Sequence, residues 1–109
     1  MQAGFSSPST VDLITHDPKR DQFVLIIVHS GAWDGSADEE DSLLQKLNSY
    51  LHFALDGELT RRYPQAMGKN IRLQIDGTSG PPPNIINLIS QADSQMMERD
   101  IRVEFNLLR

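Results

Sequence analysis

FVLIIVH, Phe23 to His29, is apolar at alternate and at intervening positions alike and is bounded by turn residues on either side. A run of this kind marks a central strand covered from two sides. TVDLITH (10 to 16) precedes it across DPKRDQ, whose Asp-Pro pair and charges make a turn, so the two runs are expected to form a β-hairpin. Further along, IRLQI (71 to 75) and IRVEFNL (101 to 107) alternate apolar and polar residues, the pattern of strands with one wet face.

After the central run comes AWDGSADEEDSLLQKL (32 to 47), the stretch that most resembles a chemical motif. A calcium loop of the EF-hand kind counted from Asp34 needs acidic or amide ligands at its third and fifth positions, glycine at the sixth and glutamate at the twelfth. The chain offers Ser36, Asp38, Glu39 and Gln45, which removes both the sharp turn and the bidentate ligand. The alternative is a helix start. Ser36-x-x-Glu39 is a capping box, and Asp38, Glu39, Glu40 and Asp41 fall where the helix dipole favours negative charge. Leu43, Leu44, Leu47, Tyr50, Leu51, Ala54 and Leu55 then continue at helical spacing as one apolar face. The phase drifts at Asp56-Gly57, so Leu59 and Tyr63 belong to a kinked or restarted last turn, closed by Pro64 and Gly68. A second helix opens after PPPN (81 to 84), with Asn84 as candidate cap and Ile85, Leu88, Ile89, Ala92 and Met96 as its stripe.

The element order is therefore β-β-α-β-α-β, read as an α/β (α+β) two-layer sandwich with a mixed four-stranded sheet and two helices. Strands joined through a packed helix run parallel, so the last three share a direction and the first opposes the second. Residues 1 to 9, small and polar with Pro8, read as a flexible leader, and residues 10 to 109 as a single domain. Met96, Met97, Phe53 and Phe105 read as core filler.

Composition narrows the function. There is no cysteine, which removes disulfides, thiolate metal sites and a cysteine nucleophile. Fifteen acidic against ten basic residues give a formal charge of -5, and the basic residues lie in scattered pairs, so nucleic acid is not an expected partner. No apolar run approaches a bilayer span and the N-terminus lacks a signal-peptide core, so neither membrane association nor export is expected, and a cytoplasmic setting is the default. The hairpin places His16 beside Phe23 and His29 beside Thr10, about 20 Å apart at the strand rise, so the two share no metal. His52 lies about 140° around the helix from Leu47, on its polar side. No metal, no cofactor, no catalytic triad and no phosphate loop is read from the chain.

One constellation remains. Ligands in parallel sheets sit beyond the carboxyl ends of the strands, where this chain carries HSGAWDGS (29 to 36) and DGTSGPPPN (76 to 84). Both loops feed a helix start, so His29, Trp33, Asp34, Asp76 and Thr78 are the candidate ligand-binding residues of one crevice, with Trp33 as an aromatic wall. The plainer account, preferred here, has glycine and proline shaping the turns, Asp34 and Asp76 capping local backbone, and Trp33 plugging the sheet end.

VDLITHDPKRDQFVLIIV, AWDG, LLQKLNSYLHFALDGEL, YPQAMGKNIRLQID and the closing IRVEFNL resemble a family of small bacterial proteins catalogued as a domain of unknown function. The likeness covers the chain from Val11 onward, and QKLNSYLHFALDGEL with YPQAMGK is its most specific part. It implies a stand-alone bacterial domain of α/β type and brings no activity, cofactor or catalytic residue with it. The functional expectation is a non-enzymatic interaction or regulatory module whose partner is a second copy of the chain, forming a homodimer, or another protein. The alternative is a small-ligand binder or enzyme using the crevice between loops 29–36 and 76–84.

Overall fold

The computed structural model describes residues 13–108. The leader expected over residues 1 to 9, the strand residues from Thr10 to Asp12 and the pairing of His29 with Thr10 lie outside the described residues. β1 (Leu13–Asp17) and β2 (Gln22–His29) pair antiparallel, with His16 opposite Phe23. Asp17 and Gln22, expected in the turn, close the ladder instead, and Asp17 Oδ1 accepts the Lys19 and Arg20 N–H groups at 3.0 and 3.3 Å. Asp21 leaves the turn at φ 54°, a left-handed conformation that aspartate tolerates better than most residues.

β2, β3 (Asn70–Gly77) and β4 (Ile101–Leu107) run parallel, in the order β1-β2-β3-β4. The connections between them are α1 (Ala37–Leu55) with the short α2 (Glu58–Arg62), and then α3 (Pro83–Met96). Two crossovers that advance in the same direction with the usual right hand put their helices on one face of the sheet. The core follows: Phe23, Leu25 and Ile27 meet Leu73, Ile75, Ile101 and Val103 in the sheet, and Leu43, Leu47, Tyr50, Leu59, Ile85 and Ile89 cover them from the helices.

The helices cover the central strand on one face, and its other face is covered as well, as its apolar run predicts. Val24 and Ile26, on the other face, are buried at 1% and 7% exposure. Val24 lies between Thr15 and Arg72 and Ile26 between Leu13 and Gln74 across the strands. The Arg72 guanidinium joins this face together, bonding Gln22 and Gln74 at 2.8 and 3.1 Å and pairing with Asp17 at 3.1 Å.

Inside α1 the stripe is rotated from the expected one. Leu43, Lys46, Leu47 and Tyr50 are buried, while Leu44 and Leu55 are 44% and 45% exposed. The leucine spacing predicts Leu44 on the inner face, where Lys46 stands instead. The lysine stem is buried all the same, and its ammonium lies over the Tyr50 ring, 5.5 Å from the centroid. The Tyr50 hydroxyl donates to the Ile26 carbonyl at 2.9 Å, tying helix to central strand. Gly57, at φ 87°, supplies the left-handed break after which α2 restarts and buries Leu59.

α3 begins two residues earlier than expected. Pro82 is its cap residue and Pro83 its first helical residue, where a missing N–H costs nothing. Asn84 is therefore not the cap. The stripe of Ile85 and Ile89, with Leu88, Ala92 and Met96 packed beside it, is as expected, and Phe53 and Phe105 also pack against the core. Met97 is not core filler: it falls in a 3₁₀ turn past the stripe and is 53% exposed.

At the outer edge, β4 is guarded by α3. Asp93 Oδ1 accepts the Val103 N–H at 2.8 Å, and both Asp93 oxygens take the Arg102 guanidinium at 2.9 and 3.0 Å. Asp93→Ala is expected to cost about 1.5–3 kcal/mol, the range for hydrogen bonds to a charged group. The Arg102 guanidinium holds the Asp93 carboxyl below its ordinary value of 3.8. A depressed folded-state pKa gives stability that is complete above 3.8 and lost as the pH falls through the lower folded value. Urea unfolding of both proteins should show the full gap at neutral pH and its closure in acid; a gap that persists unchanged in acid would rule the charge out as its source.

Candidate functional site

Two loops leave the carboxyl ends of adjacent parallel strands, residues 30–36 after β2 and 78–82 after β3, so they start at the same end of the sheet. They are stitched to each other. The Gly31 N–H donates to Thr78 Oγ1 at 2.9 Å and the Ser79 hydroxyl donates back to the Gly31 carbonyl at 2.8 Å. The Trp33 indole N–H donates to the Ser79 carbonyl at 3.0 Å. Lower down, Asn84 Nδ2 reaches the Gly35 carbonyl and Glu40 Oε2, each at 2.9 Å, so a residue read as a cap is a cross-link between the two helix starts.

Trp33 fills the junction. Its ring stacks on His29 with centroids 3.7 Å apart and planes within 6°, and it meets Phe105 edge-on at 6.3 Å. Phe105 in turn lies against Gly77, where an added Cβ would stand 2.9 Å from its ring. Glycine at the end of β3 is therefore a packing requirement.

The Ser36 cap is present, its side chain accepting the Glu39 N–H at 3.1 Å. The reciprocal half of the capping box is not. Asp34 Oδ1 takes the Ser36 N–H at 2.7 Å, and Glu39 reaches past to Gly35 N–H at 2.8 Å. The Ser36 N–H, donated to the Asp34 carboxylate, is the main reason its pKa lies below the ordinary aspartate range. Acidic residues of the first turn are Asp38, Glu39 and Glu40, with Asp41 just beyond it.

Of the candidate residues, the fold brings His29, Trp33 and Thr78 to one junction, with Asp34 at its rim in a local turn. Asp76 is separate. It bonds Gln74 Nε2 and Asn106 Nδ2 at 2.7 and 3.1 Å, in the row that alternation places on the opposite face from His29. Sequence reading missed Glu39, which approaches His29 Nε2 at 3.4 Å with both side chains nearly buried, at 9% and 11% exposure. The signal was available: a histidine at a strand end and a glutamate in the first turn of the next helix are brought together by a short loop. Chemically this is an acid–base pair roofed by an indole, beside hydroxyls already spent on backbone groups. Among the described residues no three carboxylates or imidazoles converge on a metal-sized space.

A second concavity lies at the opposite end of the sheet, under the hairpin turn. It has a volume of about 450 Å³ and draws residues from β1, β2, the segment after α2 and the approach to β3. His16, Asp21, Tyr63 and Lys69 meet there from separate stretches, which no local sequence pattern announces.

The chain matches, over residues 5–109, the model of a family described as Family of unknown function (DUF6572), and it belongs to that family. No curated protein and no solved structure matches it. Among the described residues no helix is long and apolar enough to cross a membrane.

Proposed function

We propose that the protein is a non-enzymatic interaction module of the bacterial cytoplasm that pairs through the edge of β1, with a second copy of the chain as partner. The observation that carries this reading is the unequal treatment of the two sheet edges. β4 is guarded by the Asp93 carboxylate on the Val103 N–H. Among the described residues no side chain bonds the β1 main chain, and an unguarded edge is a template for another strand. Beside it Leu13 and Val28, on the face away from the helices, are 53% and 37% exposed. A second β1 laid antiparallel would satisfy both edges, shield Leu13 in both copies and close as a two-fold dimer. The junction of the two loops agrees with this reading, since the Ser79 hydroxyl, the Trp33 indole N–H and the Asn84 amide bond backbone carbonyls of the loops themselves.

Light scattering across a concentration series tests it. A dimer mass is expected for the native chain, together with slow hydrogen exchange at Leu13 to Asp17, and a monomer for Thr15→Lys, because an edge lysine opposes strand addition. A native chain that is monomeric throughout, with fast exchange along β1, would sink the proposal.

A further inference from the structure

We propose that the cavity under the hairpin turn binds a small organic monocarboxylate with an apolar, ring-sized body. Its volume of about 450 Å³ falls within the few hundred to a thousand cubic ångströms usual for small-molecule sites. The inner wall is apolar. Phe23, only 4% exposed, forms it with Ile14, and the Tyr63 ring stands across from Phe23 with centroids 6.4 Å apart. The His16 ring continues the wall, 5.3 Å from the Phe23 centroid.

The rim supplies the choice of head group. Both oxygens of Asp21 are engaged, Oδ1 with His16 Nε2 at 2.9 Å and Oδ2 with Lys69 Nζ at 2.6 Å. That carboxylate is already satisfied and does not call for a cation. What is unspent is donor capacity. The Lys69 ammonium has three N–H groups and gives one to Asp21, and among the described residues the Tyr63 hydroxyl and the Gln65 amide make no side-chain hydrogen bond. Donors without acceptors at the mouth of an apolar cleft select an acceptor-rich head on an apolar body. With Asp21 offsetting part of the Lys69 charge, the two remaining Lys69 N–H groups and the Gln65 amide suit a monoanionic carboxylate better than a phosphate dianion.

Position fixes the arrangement further. Lys69 is held at the cavity mouth by its bond to Asp21, so the ligand head lies beside Lys69 and Gln65 while its body points toward Phe23 and Ile14. The lining takes Ile14, Thr15 and His16 from β1, so the cavity abuts the dimer edge, while Leu13 stands outside it.

The test is an NMR titration of the full chain, following backbone amides, with benzoate, benzamide and acetate as probes. Benzoate is expected to give saturable shifts at His16, Asp21, Tyr63 and Lys69. Benzamide lacks the charge and acetate lacks the body, and each should bind roughly tenfold or more weakly, about the effect of one lost interaction on affinity. Lys69→Gln, at a half-exposed position, should keep the native spectrum elsewhere and erase the preference for benzoate over benzamide. Equal affinity for the three probes, shifts centred outside the cavity, or a preference that survives Lys69→Gln would each overturn the proposal.

Discussion

Leu47→Ala is expected to destabilise the fold by about 2–5 kcal/mol, the range for deleting a leucine side chain from a packed core. Leu47 is 2% exposed and sits in the cluster that joins α1 to β2 and β3, so truncation leaves a void that neighbouring strands cannot collapse to fill. On the same helix His52→Ala should change almost nothing, since its side chain is 78% exposed and its approach to Asp56, at 3.6 Å, is a solvent-screened pair. Leu44→Ala provides the sharper contrast. It removes the same atoms as Leu47→Ala but from a position 44% exposed, and a sequence-based stripe would rank the two alike. Equilibrium unfolding in urea measures all three. Equal losses for Leu44→Ala and Leu47→Ala would mean that the helix is turned away from the orientation described.

That contrast shows what the sequence discloses and what it hides. Period and turn chemistry are local, and they announced the hairpin, the parallel strands and the restart at Gly57. Phase is not local. A stripe of leucines has two edges, and which edge faces the sheet depends on whether Lys46 can be sheltered, here over the Tyr50 ring. The same holds for Asn84. A polar residue before an apolar run reads as a cap, but its amide is drawn across to Gly35 and Glu40 by the neighbouring loop, and Pro82 takes the cap position. Met97 was misplaced because residue type alone reads a methionine as core filler, whereas it opens the 3₁₀ turn just past the stripe that Met96 ends.

The site was legible in the same partial way. That two loops rich in glycine and hydroxyls meet at one end follows from parallel pairing alone, and they do meet. Which side chains share that end depends on strand alternation at the last residue, and Asp76 falls on the other face from His29. The cavity under the hairpin turn was invisible, because Tyr63, Lys69 and His16 converge only after β1 and β3 take their places on either side of β2.

Trp33→Ala is the other change with a large expected effect, near 3 kcal/mol, the lower end for removing a large aromatic side chain because the residue is half-buried. Its indole holds three things at once: the stack on His29, the edge of Phe105 and the Ser79 carbonyl. Trp33→Phe retains much of the ring contact and loses the indole N–H, so it should cost about 1 kcal/mol, the net worth of a hydrogen bond. Thr78→Val removes the acceptor of the Gly31 N–H in the same junction and should cost a similar amount. If the two loops act as one closure, the pair of substitutions should fall short of additivity, since breaking either bond loosens the other. Thermal and urea unfolding followed by circular dichroism measure these losses without relying on the single tryptophan that is being changed. A Trp33→Ala protein as stable as the native one would show that the indole does not hold the loops. The stacked His29 and Trp33 rings would then have to be explained as the wall of an open ligand site.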